Sequence, residues 1–136
     1  MRLNPRLGGA LVTTGLLAAS TVTPTAVAAT DEDQVVAVLN GMNVSYNRTD
    51  FTGFAAFLCA DMRQAQGFEA GWYASRRSDG PTRITVNSVS VHGDPPSEAV
   101  ANVRFEAEDH DKTLDVDLVR ENAGWKACRY HSGQTV

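Results

Sequence analysis

The spacing of apolar residues changes period at Ser78-Asp79-Gly80-Pro81, and this switch constrains the fold more than any other feature of the chain. Before it, apolar residues recur at intervals of three and four; after it, they alternate with polar ones. Thr30-Asp31-Glu32-Asp33 is a helix start, with a hydroxyl at the cap position and carboxylates where the helix dipole favours them. Val35, Val36, Val38, Leu39, Met42 and Tyr46 then form one apolar face, which Gly41 weakens and Asn47 ends. Asp50 caps a second, shorter helix carrying Phe51, Phe54, Ala55, Leu58 and Cys59, and an amphipathic stretch from Phe68 to Arg76 contains Trp72 and Tyr73.

Four strands are expected after the switch. Ile84 and Val86 share one parity and Val89 and Val91 the other, so one extra residue must be absorbed near Asn87 and Ser88, as in a β-bulge. Gly93-Asp94-Pro95-Pro96 is a turn. Ala99, Ala101, Val103, Phe105 and Ala107 then alternate with Asn102, Arg104, Glu106 and Glu108. Leu114, Val116 and Leu118 alternate with Asp115 and Asp117, and a last strand runs from Trp125 to about Tyr130. Short connections make these an antiparallel meander. Helices followed by a curved meander with one polar face give an α+β domain, with the N-terminal helices packed on a four-stranded antiparallel sheet.

The first 28 residues read as a cleaved export signal. Arg2 and Arg6 precede an apolar run from Leu7 to Ala19, and Ala26-Val27-Ala28 offers small residues at a cleavage site. A membrane anchor would need about 20 continuous apolar residues, but Thr13, Thr14, Ser20 and Pro24 interrupt this run. No cysteine follows it to take a lipid. The expected product is one secreted, extracellular domain over residues 29–136. Loss of the two arginines takes the formal charge from −4 to −6, which gives no electrostatic basis for binding nucleic acid or an anionic membrane.

The chain has two cysteines, Cys59 and Cys128, and in an oxidising compartment such a pair is expected to be bonded. The alternatives are a reactive thiol, which needs a nearby cation, or a metal site, which needs closer spacing; neither pattern is evident.

Several of these features together resemble the small exported proteins of the nuclear-transport-factor-2-like superfamily, also called ketosteroid-isomerase-like or lumazine-binding-like, of actinomycete type. They are the order of elements, Tyr46-Asn47 with Asp50 at the join of the first helices, Leu58-Cys59, and the ending from Arg120 through Trp125 to Cys128. The resemblance covers most of Asp31 to Tyr130. It implies a cone with a cavity between sheet and helices, a cysteine that bonds back to the helical layer, and possible homodimers. It implies little about activity, because the fold hosts many chemistries.

Enzymes of this type need a carboxylate base inside the cavity. The residues expected to face inward on the sheet are apolar, whereas Asp115 and Asp117 have the opposite parity. Tyr46, Trp72, Tyr73, Val86, Val103, Phe105 and Val116 are the candidate cavity lining. No catalytic constellation, resident metal or cofactor is expected. His110 among Glu108, Asp109 and Asp111 reads as a charged turn, and Arg76, Arg77 and Arg83 as a solvated rim. The function expected is therefore that of an exported non-enzymatic module binding an unidentified small apolar ligand or an extracellular protein. The alternative is an isomerase or cyclase of the ketosteroid-isomerase type.

Overall fold

The computed structural model describes residues 28–122 and 124–132; all but the last residue of the expected export signal lie outside this range. Four helices precede four strands: α1 (Asp31–Asn47), α2 (Phe51–Ala55), α3 (Ala60–Arg63), α4 (Phe68–Asp79), β1 (Arg83–His92), β2 (Glu98–Glu106), β3 (Asp111–Glu121) and β4 (Gly124–Ser132). The strands form one antiparallel sheet in the order β1-β2-β3-β4. The α+β plan is therefore the one the change of period dictates.

Helix α1 begins at the expected cap, where the Asp33 amide donates to Thr30 Oγ1 at 3.0 Å. It buries Val35, Leu39, Met42 and Ser45, residues three and four apart on one face. Its start is held at the β3–β4 hairpin, where Arg120 of β3 and the Trp125 indole of β4 both donate to Asp31 Oδ1. Its end is held at the entry to β1. There Asn47 Oδ1 accepts from the Thr82 amide at 2.8 Å, while the Asn43 and Asn47 side chains both donate to the Thr82 carbonyl. The helix thus crosses the sheet from one edge strand to the other. Gly41 is needed for packing as well: a Cβ there would collide with the Phe57 ring.

Between α1 and the sheet lies a core of Val35, Leu39, Ala99, Ala101, Val103, Val116, Leu118, Trp125 and Ala127. The expected bulge is present in β1, between Val86 and Ser88, so Ile84, Val86, Val89 and Val91 all pack toward the core. A second irregularity falls opposite Asp117 and Leu118, where Asp117 pairs with Arg129 and Leu118 with Ala127, leaving Cys128 as the extra residue.

Two expected boundaries are corrected. The second helix stops at Ala55, and Leu58 and Cys59 leave it. Their segment lies along β4: the Cys59 amide donates to the Ala127 carbonyl and the Ala127 amide to the Phe57 carbonyl, both at 2.9 Å. The last helix runs three residues past Arg76, to Asp79. Beside the β4 contact, Cys59 and Cys128 form the expected disulfide.

Candidate functional site

A cavity of about 500 Å³ opens at one end of the sheet, under α1 and α4. Helix α1 contributes Leu39, Met42 and Tyr46 to its wall, α2 contributes Phe54, and α4 contributes Phe68, Trp72, Ser75 and Asp79. The four α4 residues are spaced by four, three and four, which places them on one helical stripe. Ile84, Phe105, Leu114 and Tyr130, one from each strand, close the sheet side. Lys112 also borders the cavity, with an exposed side chain.

Of the sheet and helix residues expected to line a cavity, Tyr46, Trp72 and Phe105 do so. Val103 and Val116 lie in the core with no exposed surface, and Val86, the pairing partner of Val103, packs against that core. Val86 and Val103 sit two residue pairs further along the sheet than Ile84 and Phe105, and Val116 four, where α1 covers it. Tyr73 packs edge-on against Trp72 and at a tilt against Phe51, outside the cavity wall. Sequence reasoning missed Ser75, Asp79 and Tyr130. The α4 stripe could have found the first two, and the parity change between Ala127 and Tyr130 the third.

The polar groups of the cavity are few and mostly connected. Ser75 Oγ lies 2.8 Å from the Tyr46 hydroxyl, where either group can donate, and 3.4 Å from Asp79 Oδ2, to which it can donate. Asp79 also faces His110 Nε2 of the β2–β3 turn at 3.6 Å, so this chain reaches the rim. Arg76 of the expected solvated rim instead donates to the Tyr46 and Asn47 carbonyls, at 2.9 and 3.1 Å, and its guanidinium lies over the Tyr46 ring. It caps the C-terminal end of α1 and fixes Tyr46 in place. Burial pushes the Tyr46 hydroxyl above its usual pKa; the Ser75 contact pulls it back, and the Asp79 charge adds to the rise. Burial raises Tyr130 further, with the neighbouring Tyr46 contributing.

Trp72 is the centre of the aromatic wall, with its ring centroid 5.1 to 5.4 Å from those of Tyr46, Phe51, Phe54 and Tyr73. Its indole nitrogen is buried and has no hydrogen-bond partner among the described residues.

The acidic residues of β3 lie on the opposite face. Asp115 accepts from Asn102 at 2.9 Å. Asp117 accepts from Arg129 and contacts His131 Nε2 at 3.0 Å. Partial burial alone would raise the Asp117 pKa, but the His131 and Arg129 hydrogen bonds and charges outweigh it, and the carboxyl ends below its usual range. The same contact raises His131 above its ordinary 6.5. A raised histidine contributes stability that is complete below its unfolded pKa and is lost as pH rises through the folded one. The lowered Asp117 contributes above its unfolded value near 3.8, and that contribution is lost in acid. In an NMR titration His131 is expected to titrate above 6.5, and Asp117→Asn is expected to bring it back; a wild-type midpoint at or below 6.5 would contradict the pairing.

His110 contacts Asp109 at 2.8 Å in the turn. No group of three or more His, Cys, Asp or Glu among the described residues is gathered as a metal site.

These features define the class: an α+β fold in which helices close a cavity against one face of a bulged, four-stranded antiparallel sheet. Solved structures share it. An NTF-2-like protein of unknown function from Shewanella oneidensis matches with a TM-score of 0.54 and 14% identity over 73% of this chain and 95% of that one. Aln2 from a Streptomyces species matches with a TM-score of 0.53 and 19% identity over 74% and 88%. A protein of unknown function with a cystatin-like fold from Methylobium petroleophilum gives 0.50 and 16% over 75% and 78%. No family model and no curated protein matches the chain. At these identities the likeness is one of fold, and the fold is NTF2-like.

Proposed function

We propose that the domain is an exported, non-enzymatic binding module whose cavity holds a small, largely apolar ligand. One observation carries this reading: the roughly 500 Å³ cavity is walled by Leu39, Met42, Phe54, Phe68, Trp72, Ile84, Phe105 and Leu114, with polar atoms confined to a few positions. A concave apolar wall with few polar groups is what small-molecule sites share. Support for export comes from the disulfide, a bond that persists in oxidising compartments. No helix among the described residues is long and apolar enough to cross a membrane.

Asp79 supports the isomerase or cyclase alternative, because it borders the same cavity as the Tyr46 and Tyr130 hydroxyls. Against it, Asp79 already accepts from Ser75 and turns its other oxygen to His110 at the rim. Native mass spectrometry of the protein from its host's culture medium is expected to show a co-purifying mass that is lost on denaturation. A bare chain would overturn the ligand reading in favour of a protein partner, and conversion of a β,γ-unsaturated ketone to its conjugated isomer would overturn the non-enzymatic one.

A further inference from the structure

We infer that the cavity takes amphipathic anions, an apolar body carrying one carboxylate, and that Lys112 at its edge is the counter-charge that receives the carboxylate. This rests on the cavity being a ligand site, and adds the charge its ligand carries.

Two charged side chains border the cavity, Lys112 and Asp79, and they differ in what already holds them. Lys112 stands on the inward parity of β3, two residues before Leu114, and Ile84, Phe105 and Lys112 are paired across three strands. One row of the sheet thus leads from two apolar wall residues to an ammonium. The other charges at this end of the sheet pair with one another: Arg104 with Glu106 and Asp111, at 3.2 and 2.6 Å, and Arg83 with Glu106 at 3.6 Å. All four of these residues have the opposite parity, so their pairing is confined to the far face and leaves Lys112 out. Its ammonium has no ion-pair or hydrogen-bond partner among the described residues. Asp79, in contrast, has Ser75 Oγ 3.4 Å from one oxygen and His110 Nε2 3.6 Å from the other. A cationic ligand would compete with both groups for Asp79, whereas a carboxylate reaches Lys112 without displacing a protein partner.

The exposure of Lys112 fits an amphipathic ligand rather than one buried whole. A lysine at the edge of an apolar wall extends that wall with its stem and keeps its ammonium in water. The carboxylate it pairs with therefore stays partly hydrated, and the cost of burying a charge is avoided, while the apolar body lies against Phe54, Phe68, Trp72 and Leu114. Gln66, from the connection between α3 and α4, also borders the cavity with an exposed side chain. Its amide has no hydrogen-bond partner among the described residues and adds an uncharged donor suited to a carboxylate oxygen. The chain's formal charge of −4 does not reverse this preference, because charges beyond about 8 Å are largely screened at physiological ionic strength.

The test is calorimetric titration of the disulfide-bonded protein at pH 7.4 with three ligands on one skeleton: 2-naphthylacetate, 2-(2-naphthyl)ethanol and 2-(2-naphthyl)ethylamine. The carboxylate is expected to bind about fivefold more tightly than the alcohol or the amine, a charge-assisted contact discounted for the water around an exposed ammonium. Lys112→Gln is expected to bring the ratio of carboxylate to alcohol affinity close to one, and Lys112→Arg to preserve it. Equal binding of carboxylate and alcohol to the unaltered protein would overturn the inference while leaving the cavity a ligand site, whether or not a variant folds. Tightest binding of the amine would overturn it by assigning the ligand's charge to Asp79. Binding of none of the three would overturn both this inference and the ligand reading. A carboxylate preference that survives in a folded Lys112→Gln protein would remove Lys112 as the counter-charge.

Discussion

Cys59→Ala and Cys128→Ala are each expected to lower the melting temperature by about 15–30 °C. The bond links residues 69 apart, and closing a loop of that length restricts the unfolded chain by roughly 4 kcal/mol in the chain-entropy model. For a domain near 100 residues, 1 kcal/mol corresponds to about 4–8 °C. The native position of the bond adds a local reason. Cys59 starts the short helix α3 and follows the segment whose amide and carbonyl groups pair with Ala127. Without the bond, two backbone hydrogen bonds, the Lys126 ammonium donating to the Ala56 carbonyl, and the buried Leu58 side chain hold that segment to β4. Both variants should therefore melt close to the reduced wild-type protein in a thermal scan followed by circular dichroism. A loss of less than about 5 °C, or a reduced wild type as stable as the oxidised one, would mean that packing alone fixes this connection.

The sheet was legible because its signal is local and periodic. The parity change between Val86 and Val89 is a physical necessity once four apolar side chains must face one core, and the bulge at Asn87 follows from it. Leu58 and Cys59 were misread for the opposite reason. They continue the apolar spacing of Phe51, Phe54 and Ala55, yet the backbone of β4, almost 70 residues away, offers their segment hydrogen bonds that a third turn of helix would have to forgo. Tertiary pairing of that kind leaves no trace in a local window.

The cavity was legible as a place and less so in its members. Apolar side chains on the inward parity of the sheet divide between core and cavity according to where α1 crosses, so Val103 and Val116 are sealed while Phe105 and Leu114 are open. That division is a matter of helix placement, which the sequence expresses only through the Asn43, Asn47 and Thr82 clamp and the Asp31 contacts to β4. Asp79 stood in a run of turn-forming residues, Ser78-Asp79-Gly80-Pro81, and reads as a breaker; α4 in fact continues to it and presents it beside Ser75. Arg76 shows the same difficulty from the other side, since a charged residue expected to be solvated is spent on the end of α1.

Trp125→Ala is expected to destabilise the domain by about 3–5 kcal/mol, as large-to-small changes of a buried tryptophan do. Its side chain is 3% exposed and belongs to the main core. The loss is not only of volume. The indole donates to Asp31 Oδ1 at 3.1 Å, and Arg120, whose guanidinium lies 5.2 Å from the ring centroid, donates to the same oxygen at 2.6 Å. Truncation removes the surface on which Arg120 rests and one of the two donors that hold the start of α1 against β3 and β4. Trp125→Phe keeps most of the apolar contact and loses the hydrogen bond, so it should cost less, about 1–2 kcal/mol. Urea denaturation of the two variants separates these contributions: a large gap between Ala and Phe assigns the effect to packing, and near-equal losses assign it to the Asp31 contact. Trp125 does not border the cavity, whose walls are at the other end of the sheet. Below its transition, Trp125→Phe should therefore carry the same co-purifying mass as the wild type in native mass spectrometry. A variant that folds yet loses the ligand would show that α1, released at Asp31, no longer holds Leu39, Met42 and Tyr46 in the cavity wall.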